Sequence, residues 1–294
     1  MAGNRRSGVL AALAVAAALV TAGCESGGSK DVPLEKRWLA FALADGVYTA
    51  RADGSGMRRL TDVPEFEYQP DWSPDAKKLV LRVDAPEGKP GGGVHVVTVG
   101  RRRAVNLSKV SGIFGGDPDW SPDGKKITFV GKRKSETRYG IYVMNADGSN
   151  PRRLTPAAWE AQYPDWSRDG RKVVFTGVKN LDFDLYVMSA DGSDLKQLTR
   201  TSGEENWPTW SPDGKQIVYS FGDVLKVMKA DGSDSRTLTD GGEPSWSPDG
   251  RWIAFDCGTA EAGRMCAIRP DGSGRKRILP GIDGGFPAWR PPIE

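Results

Sequence analysis

Three aspartates stand in Pro-Asp-Trp triplets, at Asp71, Asp119 and Asp165. Carboxylates repeated at nearly even spacing and brought to one wall by the fold would offer the several oxygen ligands that Ca²⁺ requires. An Asp beside a turn more often accepts backbone N–H groups instead. The triplets therefore carry two readings, a Ca²⁺ site and a backbone staple. Three later copies of the position hold Thr209, Ser245 and Ala288, so any such wall is one-sided.

Other reactive residues are few. His95 is the only histidine, so a Ser-His-Asp site would have to be built around it, and no Gly-x-Ser-x-Gly elbow is present. Neither a zinc-type Cys/His spacing nor a phosphate loop occurs. No organic cofactor is expected and no catalytic residue is assigned. Cysteine use is equally sparse: Cys24 near the start, then Cys257 and Cys266, an even pair that reads as one disulfide if the chain is exported to an oxidising compartment.

The N-terminal residues supply that export reading. Arg5 and Arg6 precede an apolar run from Gly8 to Val20, about 13 residues where a membrane span takes roughly 20, and then Thr21-Ala22-Gly23-Cys24. The layout is that of a signal peptide over 1–23. The tetrapeptide resembles the lipobox of bacterial lipoproteins, which implies a diacylglyceryl group on Cys24 and a bilayer as one partner. Residues 24–36 then read as a flexible tether. Without residues 1–23 the formal net charge falls from +3 to +1, which argues against nucleic acid as a partner. The basic runs at 101–103, 132–134 and 275–277 read as solvated strand ends.

The elements that position these residues follow from internal repetition. Tryptophans closing a Pro-x-Trp triplet recur at Trp72, Trp120, Trp166, Trp210, Trp246 and Trp289, spaced 48, 46, 44, 36 and 43 residues apart. Between them runs a second phrase, as in Ala146-Asp147-Gly148-Ser149, decayed in one copy to Val99-Gly100. In Ser121-Pro122-Asp123-Gly124, proline presets the second position of a type I turn and glycine follows at the fourth. In Ala-Asp-Gly-Ser, the Asp-Gly pair predicts the positive φ values of a tight hairpin. Period-two apolar runs such as Ile127-x-Phe129 fill the intervals.

Each unit thus reads as four antiparallel strands, and no helix is expected after the signal. Units of this length set radially predict an all-β fold, a six-bladed β-propeller over 37–290 with a tail at 291–294. Only three strands precede the first Pro-x-Trp, from Trp38, Val47 and Met57. The N-terminal strands should therefore pair with the C-terminal strand and close the ring, leaving no inner edge.

The phrases Trp-Ser-Pro-Asp-Gly-Lys-x-Ile-x-Phe and Tyr-Val-Met-x-Ala-Asp-Gly-Ser resemble the WD40-like (PD40) repeat of the TolB propeller family, over about residues 37–290. The resemblance implies a non-catalytic, protein-binding platform of the cell envelope. Its partner would be a membrane-proximal protein or a cell-wall component, and the site would be extracytoplasmic. Two alternatives come with it. One is a receptor or sensor for a glycan, peptide or other small ligand. The other is a polysaccharide lyase, since similar repeats occur in such enzymes and beside serine peptidase domains. Only 13 residues separate Cys24 from Trp38, so the α/β domain that precedes the propeller in TolB itself is not expected here.

Strand direction sorts the residues by face. Both turn phrases fall on one rim, the turn rim; the variable connections fall on the other, the loop rim, where binding residues concentrate on such scaffolds. The residue before each inner proline should reach the channel mouth on the loop rim: Gln69, Asp117, Tyr163, Trp207, Glu243 and Phe286. Of the residues one step earlier, Tyr68, Gln162 and Asn206 join them. Aromatics, amides and carboxylates together suit a peptide, a sugar or a partner's loop.

Overall fold

A computed structural model describes residues 32–61, 66–84, 92–179, 182–258 and 264–292. The expected signal peptide and Cys24 lie outside them. Six four-stranded antiparallel sheets follow one another. The first joins β1 (Trp38–Leu43), β2 (Gly46–Arg51) and β3 (Arg58–Arg59) to the last strand of the chain. The second holds β4 (Phe66–Trp72), β5 (Lys78–Asp84), β6 (Gly93–Thr98) and β7 (Arg101–Asn106), and the third β8 (Phe114–Trp120), β9 (Lys126–Lys132), β10 (Gly140–Asn145) and β11 (Arg152–Arg153). The fourth comprises β12 (Glu160–Trp166), β13 (Lys172–Lys179), β14 (Asp182–Ser189) and β15 (Lys196–Gln197). In the fifth are β16 (Glu205–Trp210), β17 (Gln216–Phe221), β18 (Val224–Lys229) and β19 (Arg236–Asp240). The sixth has β20 (Gly242–Trp246), β21 (Ile253–Asp256), β22 (Met265–Ile268) and β23 (Lys276–Arg277). The fold is the six-bladed propeller that the repeat predicts.

Closure is also as expected. β24 (Gly285–Trp289) pairs antiparallel with β1, Leu39 opposite Trp289 and Ala40 opposite Ala288. The two ends of the chain thus share one blade.

The recurring tryptophan has a packing reason. Each of six buried clusters joins side chains of two neighbouring blades, and each contains one of the six tryptophans. Trp120, for instance, packs with Val80 and Val96 of the preceding blade, beside Ile127 and Phe129 of its own. Blades are therefore covered on both faces. The period-two reading of the second strands misses this: Thr128, between Ile127 and Phe129, is as buried as they are.

The inner turns match their sequence. Gly124 N–H donates to Ser121 O at 2.8 Å, while Asp123 Oδ1 accepts from Ser121 Oγ at 2.7 Å and from the Lys125 amide at 3.0 Å. The outer hairpins differ from expectation. Within the phrase only the glycine takes positive φ (Gly148, 87°), Asn150 following at 51°, and Gly148 N–H donates to Asn145 O while Asn145 N–H donates to Ser149 O, so the reversal is a type I turn closed by a left-handed glycine.

Two further corrections concern local structure. A short helix, α1 (Leu107–Ser111), follows β7, capped by the Asn106 side chain at Lys109 N and ended by left-handed Gly112. The end of the segment expected as tether is not free: Leu34–Lys36 forms a 3-10 turn, Leu34 is buried against Trp252 and Leu279, and Arg37 pairs with Asp249. Among the described residues no helix is long and apolar enough to cross a membrane.

Candidate functional site: the channel mouth on the loop rim

Every inner strand breaks its ladder at the same place. Register shifts separate Tyr68 from Asp71, Gly116 from Asp119, Gln162 from Asp165, Asn206 from Thr209, and Gly242 from Ser245, with a matching irregularity between β1 and β24. Proline causes it, having no N–H to give the ladder, and the strand bulges around it. A bulge re-aims the side chain beside it, and here it re-aims all six.

The residue before each proline is left-handed: Gln69 (φ 51°), Asp117 (48°), Tyr163 (53°), Trp207 (50°), Glu243 (51°) and Phe286 (56°). Such a φ in a non-glycine residue costs on the order of 1 kcal/mol or more, and a following proline restricts the residue further. Glycine would relieve the strain. None of the six positions uses it, although the residue one step earlier is glycine at Gly116, Gly242 and Gly285.

These six side chains line one cavity of about 160 Å³ at the channel mouth. It opens onto a wider groove of about 820 Å³, whose walls include Tyr68, Gln162, Phe114, Tyr139 and Arg82. Asn206 lines neither cavity. Two aromatic pairs frame the mouth, Tyr163 with Trp207 at 4.8 Å between centroids and Tyr68 edge-on to Phe286 at 5.9 Å. Phe114 and Tyr139, both exposed on the groove, were missed in sequence because they lie outside the repeat phrases.

Electrostatically the mouth is acidic. Burial raises the Asp117 carboxyl above its ordinary range, opposed by Arg82, whose guanidinium lies 3.9 Å away and is shared with Asp84. Glu243 is pushed up to about 7, first by burial and then by the charge of Asp256. The Tyr163 phenol rises to about 12, again by burial first and then by the neighbouring carboxylates. Gln69 Oε1, Asn206 Oδ1 and Trp207 Nε1 are buried without a hydrogen-bond partner. Unspent polar atoms of this kind are costly unless something binds them.

The three aspartates sit deeper in the channel wall and resolve as staples. Oδ2 of Asp71, Asp119 and Asp165 accepts the backbone N–H of Trp120, Trp166 and Trp210 respectively, each at 2.8 Å and each in the next blade. Where the carboxylates end, Trp246 Nε1 donates to Thr209 O and Trp289 Nε1 to Ser245 O. Among the described residues no three His, Cys, Asp or Glu side chains group as metal ligands. The carboxyls are raised chiefly by burial, Asp71 to about 6 and Asp165 to about 7, while Asp119, flanked by both, goes well above the usual range.

His95 stands opposite Leu81 in the third-strand column that elsewhere holds Tyr48, Tyr142 and Tyr186. It is buried, its Nδ1 3.1 Å from Gly93 O. Cys257, the residue after β21, and Cys266 of β22 are joined as a disulfide.

Comparison with known proteins places this architecture. The family model of the TolB β-propeller domain matches residues 42–293. The crystal structure of TolB from Acinetobacter baumannii superposes with a TM-score of 0.72 at 21% identity, covering 88% of this chain and 68% of that one. A structure described as TolB from Agrobacterium tumefaciens gives 0.66 at 24% identity, covering 85% and 90%. A puromycin hydrolase shares the fold at 0.58 and 14% identity, but this chain covers only 45% of it. No curated protein sequence matches the chain.

Proposed function

The chain belongs to the TolB β-propeller family, and on that premise we propose that it is a non-catalytic, lipid-anchored binding module of the bacterial cell envelope. Its channel mouth on the loop rim receives a segment of a protein partner. The observation that carries this reading is the ring of left-handed side chains: six blades each accept backbone strain to keep a side chain at the mouth where glycine would be free of it. Strain retained in every unit, with a different residue in each, fits recognition better than scaffold repetition.

The chemistry of the mouth favours a particular occupant. Tyr163 and Trp207 offer aromatic faces, Asp117 and Glu243 offer carboxyls, and Gln69 Oε1 is an unspent acceptor. A loop or chain end bearing a basic or amide side chain would satisfy all of these at once. Anchoring rests on Cys24 and the lipobox resemblance, and export on the disulfide-permissive compartment that Cys257 and Cys266 imply.

Photo-crosslinking tests the reading. A benzoylphenylalanine at position 207 or 163, in intact cells, is expected to capture one specific protein, and the adduct should disappear when Asp117 and Glu243 are both changed to alanine. Empty capture together with tight binding of a cell-wall glycan would overturn it in favour of a sugar receptor.

A further inference from the structure

Neighbouring blades are latched at their outer edge by a repeated bond. Arg152 Nη1, at the start of β11, donates to Asp191 O in the hairpin of the next blade at 2.8 Å, and Lys196 and Arg236 reach Asp231 O and Pro270 O in the same way. Arg58 opens β3 at the equivalent place in the first blade. The hairpin it would reach, in the second blade, is shortened to Val99-Gly100. Arg58 makes no such bond and stacks instead on Trp38, its guanidinium carbon 5.7 Å from the ring centroid.

Two more arginines share that place. Strand alternation and register put Trp38, Arg51, Arg58 and Arg290 on the face of the first blade that looks to the second: Trp38 pairs with Arg51, Thr49 with Arg58, and the Arg290 amide donates to Trp38 O. Arg51 stacks on Trp38 at 5.3 Å and Arg290 on Trp72 of the second blade at 5.4 Å. The hairpin closes on the Trp38 indole through Gly56, where a Cβ would stand 2.8 Å from the ring. Stacking leaves the in-plane N–H donors of a guanidinium unused, and Arg290 Nε is buried without a partner. Arg59, next along β3, pairs with Asp45, but among the described residues no ion pair reaches Arg51, Arg58 or Arg290. Asp53 is near enough to feel the charge of Arg51, yet its Oδ1 is taken by the Ser55 amide at 2.8 Å. Burial and then the charge of Arg58 hold Arg290 below the usual arginine range, so these two guanidiniums are close enough to repel.

We propose that Arg51, Arg58 and Arg290 form a binding site for a phosphate group at the turn-rim end of the junction between the first and second blades. A tetrahedral dianion has oxygens enough to accept from three guanidiniums at once, where a carboxylate has two, and such charge-assisted bonds are about twice as strong as neutral ones. The bound group relieves the repulsion between Arg58 and Arg290. It also restores between these two blades the link that the short hairpin omits.

The test is a titration of the full chain with inorganic phosphate, glycerol 3-phosphate or acetate, chloride being exchanged to hold ionic strength constant, with the melting temperature as readout. Phosphate is expected to raise it along a saturable curve, with a dissociation constant of about 1 mM or tighter. Arg58→Gln and Arg290→Gln should each weaken binding about tenfold or more, and Arg290→Lys, which keeps the charge and loses the fork, about fivefold. Lys179→Gln, which removes an exposed cation of the loop rim, should change it by less than about twofold. Arg58 is exposed and makes no side-chain hydrogen bond, so Arg58→Gln keeps the parent's melting temperature in chloride and carries the test alone if Arg290→Gln does not fold. Tighter binding of inorganic phosphate assigns the site to the free ion, and tighter binding of glycerol 3-phosphate assigns it to a phosphate ester. Absence of saturable phosphate binding, equal binding of acetate, or a loss in Lys179→Gln equal to that in Arg58→Gln overturns the proposal.

Discussion

The carboxylate of Asp119 accepts the backbone N–H of Trp166 at 2.8 Å, a bond from the inner strand of one blade to that of the next. Asp71 and Asp165 make the same bond on either side, so three consecutive joints of the ring are stapled by buried carboxyls. Each satisfies an amide on the open edge of an inner strand, where no ladder partner lies. The arrangement costs electrostatic energy, because the carboxyls lie close enough for Asp119 to feel both neighbours.

That cost sets a pH dependence. Folded-state pKa values raised above the unfolded value of 3.8 mean that the folded chain holds protons which the unfolded chain releases. The contribution of these groups is fully present below pH 3.8 and is lost as pH rises through about 6 to 7. Asp119→Asn keeps the acceptor and removes the charge. Relative to the parent, this variant should gain a few degrees in melting temperature at pH 8 and nothing at pH 4, by calorimetry. An equal shift at both values would show that the carboxyl is charged without penalty. Asp119→Ala, which orphans the Trp166 amide, should lose about 1 to 3 kcal/mol at either pH.

The mouth ring separates recognition from packing. Trp207→Gly removes a half-buried ring but relieves a left-handed φ. We expect chemical denaturation to move by less than about 1.5 kcal/mol, because strain relief of about 1 kcal/mol offsets part of the lost contact, while capture of the partner falls at least tenfold. A loss of 3 to 5 kcal/mol, the range for an aromatic deleted from a core, would make the residue structural.

The propeller was legible because each blade repeats two turns and one tryptophan, and because three leading strands and one trailing strand are complementary fragments of a blade. The mouth residues followed from strand direction alone. Their left-handed backbone did not, since Gln69, Tyr163 or Phe286 carries none of the glycine signature of such a conformation; the signal present was the proline after each one. The partner of Asp71 lies 49 positions away in the next blade, beyond any local rule. Helix α1 had its caps in plain sight at Asn106 and Gly112, but five residues are too few to display an apolar period.

The disulfide closes a short loop in the sixth blade, with Cys257 and Cys266 nine positions apart. Loop-closure entropy for that length corresponds to about 2 to 3 kcal/mol. Reduction, or the double change to alanine, should lower the melting temperature by about 4 to 8 °C for a chain of this size. No change on reduction would show that β21 and β22 hold their register unaided.

Closure gives the most demanding prediction. β24 supplies the innermost strand of the first blade and places Trp289 in the cluster that joins the first and sixth blades, beside Leu39, Phe41 and Trp252. A chain ending at Gly284 would expose the inner edge of β1 and open that cluster to water. Exposed edges of this kind recruit other chains, so the truncated protein should aggregate or unfold cooperatively as a whole rather than lose one blade. Trp289→Ala should keep the strand and lose about 3 to 5 kcal/mol. A truncated chain that stays monomeric, with an unaltered melting profile, would mean that the ring is held shut by its other five interfaces and that the shared blade is dispensable.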